Sequence, residues 1–271
     1  MNVTTRWNHF WFSQVPAHRL ALFRMALAVT TVMFFMPYSQ KMIHHYLASS
    51  FHNPMLPGIP DLVPWAGRML IIAQYLAVGG LFLGVLPQLG AGILALSGFY
   101  VFLLDKQYYS HWYQFHLILL TLLSFSKERL SLVGWIRRDN NGSPTCPAWP
   151  ENLIRFQLSI VLFHTALNKA FSPYWGSSGK FFTVGFGTLA FPDGSPFFAL
   201  REFMLSALLA YPAAASLCVI GLEFFLAIAF LFRPLWRIAA ITGLGFALAL
   251  QLLIKPVSFA WDFMAVLILF V

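Results

Sequence analysis

The chain has 271 residues, 59% of them hydrophobic and 10% charged, with 29 phenylalanines, a net charge of +8 and a mean hydropathy of +0.72. Such a composition would aggregate if its surface faced water, which excludes a soluble globular protein and makes the bilayer the main solvent. The basic excess, 17 Lys and Arg against 9 Asp and Glu, is of the kind that collects in cytoplasmic loops of membrane proteins, so no nucleic-acid partner is expected.

The opening MNVTTRWNHFWFSQVPAHR is aromatic and lacks an apolar core ending in a small-residue cleavage site. It reads as an interfacial amphipathic lead-in and not as a signal peptide. A first span is predicted from about Arg19 to Tyr38, closed by Pro37. The following loop holds four prolines and His44, His45 and His52, and no carboxylate or cysteine is spaced to complete a metal's first shell beside them. Trp65 to Leu86 and Leu89 to Leu104 form the second and third spans, joined by Pro87 and Gln88, with Gly79, Gly80, Gly84, Gly90, Gly92 and Gly98 allowing close helix approach. A fourth span is predicted from Tyr109 to Phe125.

A basic loop, Lys127 to Arg155, leads to a fifth span from Asn152 to Ala170. Ser172 to Tyr211 reads as a re-entry region in which Phe197 to Tyr211 forms a short interfacial helix. Ala213 to Phe232 and Trp236 to Ile254 complete the sixth and seventh spans, and Ser258 to Val271, 14 residues, is a short eighth. The expectation is an all-α, polytopic integral membrane helical bundle of seven to eight spans, one domain over residues 1–271 with no soluble domain. Cys146 in a loop and Cys218 inside a span are not placed to pair.

Counting Lys and Arg on alternate sides gives ten with the N-terminus and seven opposite when the N-terminus is cytoplasmic. That orientation puts the turns around Lys169 and around Asp105 to His111 on the same, non-cytoplasmic face of what is expected to be a bacterial inner membrane.

Ionisable groups inside spans default to functional hypotheses, each beside a plain structural one. His116 and His164 read as buried histidines bonded to a neighbouring helix. Glu223 is balanced between pairing with an arginine and a functional role, and Asp262 between capping the last helix and a functional role. Asp105 and Lys106 read as an interfacial ion pair worth little. Lys169 stands apart. It leaves an apolar helix just before Pro173 and the turn YWGSSG, where a cation must snorkel, find a partner or lose its proton.

Three stretches, DKQYYSHWYQFHLILL, LNKAFSPYWGSSGK and GLEFFLAIAFLFRPLWRIAA, with the opening RLALFRMALA, resemble the membrane domain of vitamin K-dependent gamma-glutamyl carboxylases and their bacterial HTTM-domain relatives. By position, the resemblance implies that Lys169 is the catalytic base and His111 the histidine assisting it. Trp175 and Gly176 match the turn after the lysine. Asn168, His164, Trp112, Phe171 and Glu223 join them as candidate pocket residues, with no metal.

The implied chemistry starts with a lysine deprotonating a reduced naphthoquinol, vitamin K or a related quinol. Reaction with oxygen then gives a strong alkoxide base that allows carbon dioxide to add to a peptide glutamate. A lysine serves as such a base near neutral pH only where desolvation or a neighbouring cation favours its neutral form. The site is therefore expected to be a mostly apolar cavity walled by Trp112, Phe171 and Trp175. Lys169 and His111 should share it, with no carboxylate on the lysine.

The chain departs from the family pattern at Asn168, where a second lysine is usual, at Ser110, where Asn precedes the histidine, and at Ala247, where many relatives carry His. It also has no counterpart of the large extramembrane domain that holds the protein substrate in the eukaryotic enzymes. A non-catalytic membrane accessory factor for a secreted peptide, and a proton-coupled transporter using Glu223, Asp262 and Lys169, therefore stay beside the quinol enzyme as readings. Oligomeric state is not legible.

Overall fold

A computed structural model describes residues 2–49, 51–126, 130, 145–175, 180–181, 196–253 and 258–270. They form an all-α bundle with one small two-stranded ladder. Among the described residues, five helices are long and apolar enough to cross a membrane by length and composition, and the chain is a polytopic integral membrane protein. Two compact units divide it, Met1–Ile154 and Arg155–Val271. Most of the basic loop, the middle of the re-entry region and Gly176 lie outside the described residues.

In the first unit, helix α1 (Val3–Phe12) starts at Asn2, whose side chain accepts the Thr5 N–H at 2.8 Å. It leaves Trp7, Phe10 and Phe12 exposed, as an interfacial helix would. Strand β1 (Gln14–Pro16) pairs antiparallel with β2 (Thr145–Pro147), Val15 opposite Cys146. Neither three-residue strand carries an alternation that the sequence betrays. The ladder is flanked by contacts that fasten the lead-in: Asn152 donates to the Phe10 carbonyl at 2.7 Å, and Glu151 lies 4.0 Å from Arg19.

The first span does not end at Pro37. Helix α2 (Ala17–Thr30), a π turn (Thr31–Phe35) and helix α3 (Met36–Ala48) run as one helical path of 32 residues. Within the π turn the Met36 N–H reaches back five residues to the Thr31 carbonyl. This wider turn just ahead of Pro37 relieves the clash that a proline ring makes with the preceding turn of a regular α-helix. His44 and His45 are consequently helical and not in a loop.

Helix α4 (Pro64–Leu83) and helix α5 (Pro87–Leu104) form the expected hairpin, turning through Gly84 at φ 75° and Leu86 at φ 49°. They pack so closely that a Cβ on Gly90 would stand 2.7 Å from the Ala77 carbonyl oxygen. Buried Gln74 joins three helices by donating to Ser39 at 3.1 Å and Ser97 at 3.2 Å. Helix α6 (His111–Ser124) has 14 residues, about 21 Å of rise, and falls short of the roughly 30 Å hydrocarbon core expected of a fourth span. Its His116 is buried, 3.0 Å from the Thr31 hydroxyl and stacked on Phe35 at 4.8 Å. It is bonded to a neighbouring helix, as the structural reading expected.

Helix α7 (Trp149–Phe171) contains the boundary between the units. The second unit continues with α8 (Pro196–Ala210), α9 (Pro212–Ala229), α10 (Trp236–Leu253) and α11 (Ser258–Leu267), the last extended by a 3-10 turn, Ile268–Phe270. Pro212 occupies the first turn of α9, where its missing N–H costs nothing. Arg155 is buried under the end of the chain. It donates to the Leu269 carbonyl and lies 4.0 Å over the ring of Trp236. Cys146 is buried and Cys218 exposed, and no disulfide joins them.

Candidate functional site

The end of α7 is where the sequence places its cation. The helix stops at Phe171 because Pro173 cannot continue it, and Lys169 sits in the last turn, the end of a helix that favours positive charge. Short backbone bonds then fold the chain back: Ser172 N–H to the Lys169 carbonyl, Trp175 N–H to the Ser172 carbonyl, both at 3.2 Å, and Phe181 N–H to the Tyr174 carbonyl at 2.8 Å. Trp175 stacks on Phe181 at 4.0 Å and lies 4.8 Å from the Lys169 ammonium.

Lys169 also has the partner that the sequence reading assigned it to lack. Its Nζ donates to Oε1 of Glu223 on α9. The physical reason is the solvent: an unpaired ammonium within an apolar bundle is costly, and Glu223 is the acidic group that α9 brings to its height. Glu223 is itself buried, and its other oxygen, Oε2, has no hydrogen-bond partner among the described residues. Thr165, one turn before Lys169, donates its hydroxyl to the Leu162 carbonyl at 3.0 Å.

Lys169 lines a cavity of about 730 Å³. The walls come from one face of each of three helices of the second unit: Phe203, Met204, Ala207 and Leu208 of α8, Val219 and Leu222 of α9, and Thr242, Gly245, Phe246, Ala249, Leu250 and Leu253 of α10. Trp175 and Phe181 complete them, and Lys169 is the one charged residue among these described walls. From Thr242 to Leu253 the lining runs about 16 Å along α10. A Cβ on Gly245 would meet nothing within 4 Å.

The other candidates distribute differently. His164 and Asn168 are exposed on α7, bonded to each other at 3.1 Å, and Phe171 is 81% exposed; none of the three lines the cavity. Phe171 is thus not the wall it was expected to be, since the helix end turns it outward. His111 is exposed, with Nδ1 3.1 Å from the Tyr109 hydroxyl, and Trp112 packs edge-on against Tyr38 at 4.9 Å. Both belong to the first unit and Lys169 to the second, so their expected approach to Lys169 stays an expectation. Asp105 is buried and caps a turn, accepting the Gln107 N–H at 3.0 Å, while Lys106 is exposed.

Sequence reasoning missed most of the cavity wall. The signal is present in α10, where Thr242, Gly245, Phe246, Ala249, Leu250 and Leu253 recur at helical spacing with small residues among them. A uniformly apolar helix hides which face looks inward. Arg201 of α8 was also missed. It is buried and paired with Glu202 at 2.7 Å.

A family model described as HTTM domain matches residues 12–271. No curated protein and no solved structure matches the chain.

Proposed function

We propose, from the premise that the chain belongs to the HTTM-domain family, that it is a membrane-embedded enzyme whose Lys169 deprotonates a lipid-soluble hydroquinone. The observation that carries the reading is the cation Lys169 set among the otherwise uncharged described walls of a large apolar cavity. That pairing of a long apolar slot with one ionisable edge fits an amphiphile with a ring hydroxyl, and the volume falls within the range of small-molecule sites. A reduced naphthoquinol of the vitamin K kind supplies an ionisable hydroxyl and the electrons that reduce oxygen. Lys169 supplies the proton acceptor, and Trp175 holds the amine in place through its ring face.

Trp175 and Phe181 offer flat surfaces to an aromatic head, and the small residues of α10 leave room for a chain. His111 keeps the assisting role, and Gly176 the place in the turn after the lysine, that the family resemblance implies. Carboxylation of a peptide glutamate with carbon dioxide is the further step that the family resemblance adds. The membrane proposed is the bacterial inner membrane, with the N-terminus cytoplasmic and Lys169 on the other side. Single cysteines at Ser143 and Ser178, in a chain lacking Cys146 and Cys218, should label from opposite faces.

The ion pair between Lys169 and Glu223 favours a second reading, a non-catalytic accessory factor in which the lysine only fastens α7 to α9. One experiment separates the two. Oxygen uptake driven by a reduced naphthoquinone is measured with the protein in lipid nanodiscs. The enzyme reading expects uptake in the wild type and its loss, by at least a hundredfold, in Lys169→Met, whereas equal rates in both proteins would discard it.

A further inference from the structure

Lys169 borders the cavity and is paired with Glu223. Its side chain is 21% exposed and lines the cavity, whereas the Glu223 side chain is 5% exposed and does not. The amine is therefore the member of the pair that an occupant of the cavity meets. Apart from Lys169, the carboxylate has the Thr165 hydroxyl as a near polar neighbour, but that hydroxyl donates to the Leu162 carbonyl and Oε2 accepts no hydrogen bond among the described residues. In such a low-dielectric setting an ion pair loses much of its advantage over the neutral pair formed when one proton moves from nitrogen to oxygen.

Resting on the hydroquinone reading, we infer that Glu223 is the positioning and proton-holding residue of the site. Lys169 Nζ takes the hydroxyl proton of the occupant and passes one of its own to Glu223 Oε1. The O–H bonding pair stays on the oxygen that loses its proton; one N–H forms on Lys169 as another breaks, and an O–H forms on Glu223. One cation and one anion are present before the transfer and one of each after it. The lysine begins and ends as an ammonium, so it faces the new negative charge as a cation.

This arrangement removes the conflict between a carboxylate-paired lysine and a lysine base. An opposite charge keeps a proton on an isolated lysine, but a lysine that hands a proton on does not have to begin without one. Among the described residues of the second unit, the other charged side chains, Arg155, Lys180, Arg201, Glu202, Arg233, Arg237 and Asp262, are not in the cavity wall, and neither is His164. Glu223 is the acidic partner the structure gives to the cavity's cation.

The test uses the full chain in nanodiscs and two readouts. One is the rate at which fluorodinitrobenzene modifies Lys169, followed by peptide mass spectrometry, and the other is naphthoquinol-driven oxygen uptake. Glu223→Gln, which keeps the side chain's shape, should label Lys169 at least tenfold faster at neutral pH and yet turn over at least tenfold more slowly. Glu223→Asp, which keeps the carboxylate, should recover part of the turnover.

A carboxylate that merely locks the lysine gives the opposite result, with uptake in Glu223→Gln equal to or above wild type, and this would overturn the inference. Unchanged labelling in Glu223→Gln would overturn it as well. Wild-type protein without any uptake, together with faster labelling in Glu223→Gln, would remove the hydroquinone reading and leave the coupling of the pair in place.

Discussion

The ammonium of Lys169 lies 4.8 Å from the centroid of the Trp175 ring, six residues further along the chain. A short turn built on Ser172 creates this contact, and it gives the cation a second neighbour on the cavity wall besides Glu223. Cation–π contacts are worth about 0.5–2 kcal/mol, the upper figure where water is excluded.

Trp175→Leu should preserve an apolar wall while removing that ring face. The unfolding temperature without ligand is expected to fall by the equivalent of that energy, a few degrees at most, and the affinity for a reduced naphthoquinone to fall with the loss of the aromatic wall. Titration in nanodiscs checks it, and unchanged affinity would show that the ring does not serve the site.

Gly245 offers a cavity-filling test. Because a Cβ there meets nothing within 4 Å, Gly245→Leu is accommodated without a clash, and the helix gains roughly 0.5–1 kcal/mol of propensity. The variant should fold with equal or higher unfolding temperature and lose stabilisation by the naphthoquinol. Retained stabilisation would place the ligand elsewhere.

Gly98 lies in the first unit and provides the contrasting case. A Cβ there would stand 2.5 Å from the side chains of both Leu117 and Phe35, so Gly98→Ala makes both of these buried side chains shift. Overpacking of this kind costs about 1–3 kcal/mol. A fall in unfolding temperature of several degrees is expected, and no change would show that the two side chains shift freely.

The place where a cation leaves the apolar helix was legible, because a lysine followed by Pro173 at the end of such a helix is a local signal. Its partner was not legible as such. Glu223 is 54 residues away, and nothing local tells an acidic residue in a span whether it will meet an arginine or a lysine. Pro37 misled for a related reason: the rule that a proline closes a helix is local, whereas the π turn that carries the chain past it is supported by Phe35 packing against Tyr113 and His116.

Arg155 was readable as one more basic residue near a loop, but its burial under Leu269, Trp236 and Phe270 depends on where the chain's last helix lies. The hairpin of α4 and α5, the sixth and seventh spans and the short last helix were readable because apolar length and Pro or Gly punctuation fix such elements without reference to anything distant.

The central claim is that the cavity beside Lys169 binds a reduced naphthoquinone through that lysine, and thermal unfolding of the nanodisc-embedded protein tests it most directly. A ligand bound only by the folded state at a hundred times its dissociation constant contributes about 2.7 kcal/mol, which should raise the wild-type unfolding temperature by several degrees and raise that of Lys169→Met far less. Equal shifts in the two proteins, or none in the wild type at saturation, would contradict the account.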